Sequence, residues 1–184
     1  MKRTGVIILA IISLLFVGGN RLSAQVKPIV GPEWNFILGE WVGEGSGVPG
    51  QGAGWFTFTK ELGEKIIERK SHTVIPAANG RPETIHDDLM VIYLDNVGLM
   101  TKAIYFDNEG HIINYAAKFN QADNSLVFTS EAQPNMPRFR LTYKIVENNL
   151  LNTDFEFAPP NQPEAFSKYI SGKSHKRTAT EKLN

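Results

Sequence analysis

Arg138-Phe139-Arg140-Leu141-Thr142-Tyr143-Lys144-Ile145 alternates without a break. Successive side chains of an extended chain point to opposite faces, so Phe139, Leu141, Tyr143 and Ile145 share one side and Arg138, Arg140, Thr142 and Lys144 the other. That is a strand with one wet face and one buried face. Leu151, Thr153, Phe155 and Phe157 repeat the pattern against Asn152, Asp154 and Glu156. Met100 to Phe106 is less regular, with apolar residues on both sides.

Period two and turn punctuation continue outward in both directions. Strands are expected near 41–46, 54–61, 65–75, 85–94, 99–107, 111–119, 125–132, 138–147, 150–157 and 165–172. Between them lie Leu62-Gly63-Glu64, Asn79-Gly80, Asp95-Asn96-Val97-Gly98, Asn108-Glu109-Gly110, Asp123-Asn124, Asn148-Asn149 and Pro159-Pro160-Asn161. These residues accept positive φ or set a bend. Only Pro32 to Leu38 reads as helical, a short turn that begins near a Pro and stops at Gly39.

About ten strands joined by short hairpins make a meander, and an open meander leaves two unpaired edges. Closure removes both. The expected fold is therefore all-β: a single up-and-down antiparallel barrel of about ten strands with a short N-terminal helical turn. A two-sheet sandwich is the alternative, and it needs longer crossing connections than most of these turns.

The inward face is rich in Phe, Tyr and Leu. A barrel so lined either fills itself with side chains or holds one small apolar ligand, and at ten strands the bore favours a ligand. The candidate ligand-binding residues are Trp41, Phe139, Leu141, Tyr143, Phe155, Phe157 and Tyr169. Tyr143 is the best inward polar handle, because a buried tyrosine hydroxyl needs a partner. Arg138 and Arg140, able in principle to clamp a carboxylate, fall on the wet face.

The N-terminus reads as a leader. Lys2 and Arg3 precede an apolar run from Val6 to Val17, broken only by Ser13. Twelve residues fall short of the ~20 needed to span a bilayer. Asn20 and Arg21 bound the run too early for the competing membrane anchor, and Leu22-Ser23-Ala24 supplies a small residue for cleavage. Residues 1–24 are expected to be a signal peptide and 25–184 a single β-barrel domain, exported to the periplasm or secreted. A domain of that length buries about 70% of its unfolded surface. With no cysteine in the chain it must rely on packing alone. Without Lys2, Arg3 and Arg21, sixteen basic residues face nineteen acids. A net charge of −3 argues against nucleic acid or an anionic membrane as partner. Lys173 to Arg177 reads as a solvated basic chain end.

Leu38-Gly39-Glu40-Trp41-Val42-Gly43-Glu44-Gly45 resembles the opening of the calycin group, the lipocalin-like and nitrobindin-like barrels, whose first strand is entered through Leu-Gly-x-Trp-x-Gly-x-Gly. Tyr105 to Gly110 and Tyr169 to Arg177 are similar to exported bacterial relatives of unassigned function. The resemblance implies a closed barrel with a hydrophobic small molecule as partner. The motif also has a structural reading: Trp41 plugs one barrel end while Gly39, Gly43 and Gly45 let the chain bend.

Nitrobindins hold haem through a histidine near the C-terminal strands, so haem stands as an alternative occupant. His175 is the histidine at that end, but it falls beyond the last expected strand. Val48-Pro49-Gly50-Gln51-Gly52-Ala53-Gly54 replaces the aromatic-Pro-Thr stretch of that family, so no haem ligand is carried over. No cofactor is otherwise expected.

His72, His86, Asp87 and Asp88 are the other residues able to do chemistry. With Asn79-Gly80 as a two-residue turn, His72 faces Asp87 and His86 faces Thr73. One residue more in the loop sets His72 against Asp88, with His86 diagonal on the same face. That register would make His72, His86 and Asp88 a metal or acid–base cluster, the basis of an alternative lipocalin-like enzyme. The simpler reading is a His–Asp pair on the outer face with no metal. The Gly-rich loop from Gly43 to Gly54 leads into a strand and lacks a Lys-Ser/Thr, so it is no phosphate cradle. There is no Gly-x-Ser-x-Gly elbow and no His-Glu-x-x-His.

Overall fold

The computed structural model describes residues 31–45, 53–78 and 80–180. The leader segment, most of the Gly-rich loop and Asn79 lie outside the described residues. Among the described residues ten strands follow a single 3-10 turn, Pro32–Trp34. They are β1 (Gly39–Gly43), β2 (Ala53–Glu61), β3 (Ile66–Ile75), β4 (Thr84–Leu94), β5 (Met100–Asp107), β6 (Ile112–Asn120), β7 (Ser125–Ser130), β8 (Arg138–Glu147), β9 (Leu150–Ala158) and β10 (Ser167–Lys176). Each pairs antiparallel with its sequence neighbours, and β1 pairs with β10, so the sheet closes into an up-and-down barrel. Closure satisfies the backbone of both end strands, which is what the meander required.

Up-and-down connection places alternate turns at opposite ends. The end where β1 begins is closed. Ile37 and Trp34 are buried there, and the Trp34 ring meets Phe128 edge-on at 6.3 Å. Gly39, at φ +109, turns the chain from this plug into β1. Only glycine takes that conformation without strain. The Trp41 indole N–H donates to the Ile37 carbonyl at 2.8 Å.

Aromatic rings fill the lower half of the barrel. Phe56 and Phe58 on β2 reach Tyr143 on β8, with ring centroids 5.5 and 5.3 Å apart. Ile67, Ile92, Leu126 and Leu151 complete the packing around them. Each fully buried side chain of this size is worth about 1.5–3 kcal/mol. The bore is thus not hollow along its whole length, because large rings from nearly opposite walls meet across it.

The seam that closes the barrel is its shortest ladder. β1 meets β10 through Trp41↔Lys176, Val42↔His175 and Gly43↔Ser174, whereas β3 and β4 pair along ten positions. The last strand runs to Lys176, past the expected end at 172, and the supposed basic tail is the closing element. Alternation explains it: Ser174 is buried and the Lys176 ammonium sits over the Trp41 ring at 5.4 Å. Lys173 and His175 take the outer face. An ion pair between Arg177 and Glu40 extends the seam.

Candidate functional site

Register fixes which side chains enter the barrel. Tyr143 faces inward, so its cross-strand partner Thr153 does too, and with it Gly172 opposite Thr153 on β10. On the other wall Phe58↔Arg69 and Arg69↔Met90 carry Arg69 inward, and Ser71↔Asp88 carries Asp88 with it. The barrel therefore encloses a charged pair. Arg69 and Asp88 form a salt bridge with side chains 8% and 6% exposed. The Arg69 guanidinium lies 5.6 Å from the Phe56 ring and 5.9 Å from the Tyr143 ring.

Burial tends to lower the Arg69 pKa. It is the largest single influence, but the Asp88 carboxylate together with Tyr143 and Tyr105 outweighs it and raises the pKa, so the guanidinium stays charged. Tyr143 is pushed up to about 12, mainly by burial and against the pull of the Arg69 charge. Tyr105 and Tyr115 rise further, again through burial first. All three are neutral phenols at physiological pH.

Three buried polar atoms in this region lack a hydrogen bond of acceptable geometry: Arg69 Nε, Tyr143 Oη and Thr153 Oγ1. Native interiors leave few such groups unpaired, since each carries a desolvation penalty of about 1–3 kcal/mol. All three side chains point inward, beneath the partly exposed upper positions, and form a floor there whose polar atoms are sealed from solvent.

Above the floor, inward positions are only partly covered. Phe139 and Phe155 stack at 5.7 Å and are half-buried. Phe157 is 37% exposed and Ile170 57%, although pairing places both on the inward side. A Cβ added at Gly172 would meet nothing within 4 Å. The upper half is a cup open at the end opposite the Trp34 plug, with an aromatic wall on β8 and β9. Interior binding of a ligand is within reach of this barrel.

A second polar chain climbs from the floor to the rim. His86 Nε2 lies 3.0 Å from the Tyr105 hydroxyl and 3.7 Å from Asp88 Oδ2, and its Nδ1 lies 3.1 Å from Glu109. Tyr105 donates to Asp107 at 3.3 Å, and Asp107 accepts from the His111 ring at 2.8 Å. Burial would raise the Asp107 pKa, but hydrogen bonds from the His111 backbone and ring and the Glu109 backbone prevail and lower it.

No protein-family model matches this chain, and no curated protein resembles it closely enough to be counted a relative. Fold and site therefore stand on the geometry of the chain itself.

The residues expected from sequence separate into three groups. Tyr143, Phe139, Leu141 and Phe155 share the inward face of the cup. Phe157 is at the rim, where Tyr169 also lies, 73% exposed on a β-bulge between Lys168 and Ile170 with its ring 6.3 Å from Phe155. Trp41 belongs to the closed end, stacked on Phe56 at 6.3 Å.

The histidine register is the one with a two-residue turn. His72 pairs with Asp87 and His86 with Thr73, which leaves His72 outside and His86 and Asp88 inside. These three do not come together, and among the described residues no group of three His, Cys, Asp or Glu side chains could hold a metal ion. Outside, His72 Nδ1 is 2.6 Å from Asp87 and its ring stacks on Trp55, lining a groove of about 430 Å³ on the outer wall. His175 also faces outward, opposite Val42. Of the four histidines only His86 is a barrel-facing strand residue, and both its ring nitrogens are engaged. The described residues thus do not fit a haem held through histidine in the lumen.

Arg69, Asp88, Tyr105 and Thr153 are the site residues that spacing alone does not single out as a group. Ile66 and Ile67 are both apolar, so the parity of β3 is undetermined until pairing resolves it. Once Ile67 is inward, Arg69 two residues on must be as well.

Proposed function

We propose that this is a calycin-type ligand-holding barrel whose upper half binds an elongated hydrophobic small molecule. The observation that carries the reading is the space at Gly172: a lumenal position free of neighbours within 4 Å, flanked by half-buried Phe139 and Phe155. Apolar groups partly open to water on a concave face gain by covering themselves with a guest. Phe139, Leu141 and Phe155 would line the guest, Tyr143 would lie beneath it, and Phe157 and Tyr169 would edge the mouth. The leader reading belongs to the same proposal, with cleavage before Gln25 and release to the periplasm or outside the cell. No nucleic acid partner and no membrane attachment after cleavage are part of it.

Gly172→Leu is the direct test, because a Cβ there meets nothing within 4 Å and the rest of the side chain extends into the cup. Wild-type protein purified under native conditions should yield a small apolar molecule on solvent extraction and bind N-phenyl-1-naphthylamine with enhanced fluorescence. The variant should fold normally and lose both. Equal probe binding by a folded Gly172→Leu protein would sink the proposal. N-terminal sequencing of exported material should begin at Gln25; an intact Met1 in that material would remove the leader reading.

A further inference from the structure

The floor of the cup carries charge, yet that charge is already spoken for. Arg69 is buried against Asp88, which is itself buried, so the pair adds no net charge to the interior. What the floor lacks is well-formed hydrogen bonds: Arg69 Nε is a donor, Tyr143 Oη and Thr153 Oγ1 can each donate or accept, and none of these atoms makes a bond of full geometry. The Arg69 guanidinium nonetheless lies close enough to the Tyr143 hydroxyl to favour its ionised form. Tyr143 and Thr153 are cross-strand partners, and Gly172 opposite Thr153 leaves free the space a side chain would occupy there.

We propose that Arg69, Tyr143 and Thr153 receive an uncharged hydrogen-bonding end of the ligand, a hydroxyl or a carbonyl, and discriminate against a carboxylate. The proposal rests on the ligand-holding reading and specifies its chemistry. A carbonyl oxygen can accept from Arg69 Nε and from the Tyr143 hydroxyl. An alcohol can accept from Tyr143 and donate to Thr153. A carboxylate would bring an additional negative charge beside Asp88, where the Arg69 charge is already balanced, and burying an unbalanced charge is strongly unfavourable. A plain alkane would leave the floor atoms as they are, each still unsatisfied. The phenol of Tyr143 stays protonated at neutral pH and so remains available as a donor.

The test is displacement of N-phenyl-1-naphthylamine at pH 8 by four ten-carbon probes: decane, 1-decanol, 2-decanone and decanoate. Wild-type protein should bind decanol and decanone at least tenfold more tightly than decane and than decanoate. Tyr143→Phe keeps the ring and should bring decanol to within threefold of decane while leaving decane binding unchanged. Asp88→Asn frees the Arg69 charge and should shift the preference toward decanoate by at least tenfold. Should that variant not fold, the wild-type series and Tyr143→Phe decide by themselves. Decanoate binding as tightly as decanol to the wild type overturns the proposal, and so does decane matching decanol. In both cases the cup remains, because the probes bind. Binding of no probe at all overturns the cup and the floor together.

Discussion

The indole N–H of Trp41 reaches back four residues to the Ile37 carbonyl at 2.8 Å, in a region where both residues are buried. This bond ties the first strand to the turn that plugs the closed end. Trp41→Phe keeps most of the packing but leaves the Ile37 carbonyl buried and unpaired. The expected loss is about 1–3 kcal/mol. It should be read as a lower urea midpoint with an unchanged m-value.

Arg69 and Asp88 should be strongly coupled. Removing either alone abandons a buried charge, so Arg69→Met is expected to destabilise by about 3–5 kcal/mol. The double variant Arg69→Met/Asp88→Leu should lose less than the sum of the two single changes. A double-mutant cycle by chemical denaturation measures the difference. Additive losses would mean that the two side chains do not act as a pair.

Alkaline pH should weaken the fold through the buried tyrosines. An unfolded tyrosine releases its proton near pH ~10. Tyr143 holds its proton to about 12 in the folded chain, and Tyr105 and Tyr115 hold theirs longer. Above pH ~10 the unfolded chain therefore binds fewer protons than the folded one, and stability falls as pH rises. Each such group contributes a slope of about 1.4 kcal/mol per pH unit. Tyr143→Phe should flatten the decline by roughly one such share, followed as urea midpoints from pH 9 upward. An unaltered slope would place the Tyr143 ring in contact with water.

The C-terminal half of β10 should be indispensable. Truncation after Lys173 removes Ser174, His175 and Lys176, and with them the pairing to β1. Arg177 and its ion pair with Glu40 go too. Two strand edges would then be exposed, a template for association between copies. The shortened chain should lose cooperative thermal unfolding and form oligomers by light scattering. A monomer with the native melting profile would contradict the role given to this seam.

Close approach of backbones gives a last contrast between two glycines. A Cβ at Gly54 would collide with the His72 carbonyl oxygen on β3, whereas one at Gly172 meets nothing. Gly54→Ala should cost about 1–3 kcal/mol by forcing the strands apart. Gly172→Ala should be near neutral. Thermal melts of the two variants side by side measure the contrast.

Local alternation and turn chemistry were enough to find ten strands and their order, because an up-and-down meander needs no long-range information beyond its hairpins. The inward set on β8 and β9 was legible for the same reason: Phe139, Leu141 and Tyr143 alternate cleanly with polar and charged neighbours. The His72↔Asp87 register also follows from a two-residue turn. Tertiary structure alone decided the rest. Whether Arg69 lies in or out depends on the phase of an ambiguous Ile66-Ile67 start, settled only when β2 and β4 pair on either side. Lys173 to Lys176 look solvated by composition, yet closure pulls them into the wall, where Trp41 shelters the Lys176 stem. Phe56 meeting Tyr143 across the lower bore, and the open space at Gly172 above it, arise from contacts between residues far apart in the chain. No periodicity in a single strand encodes how far the opposite wall is.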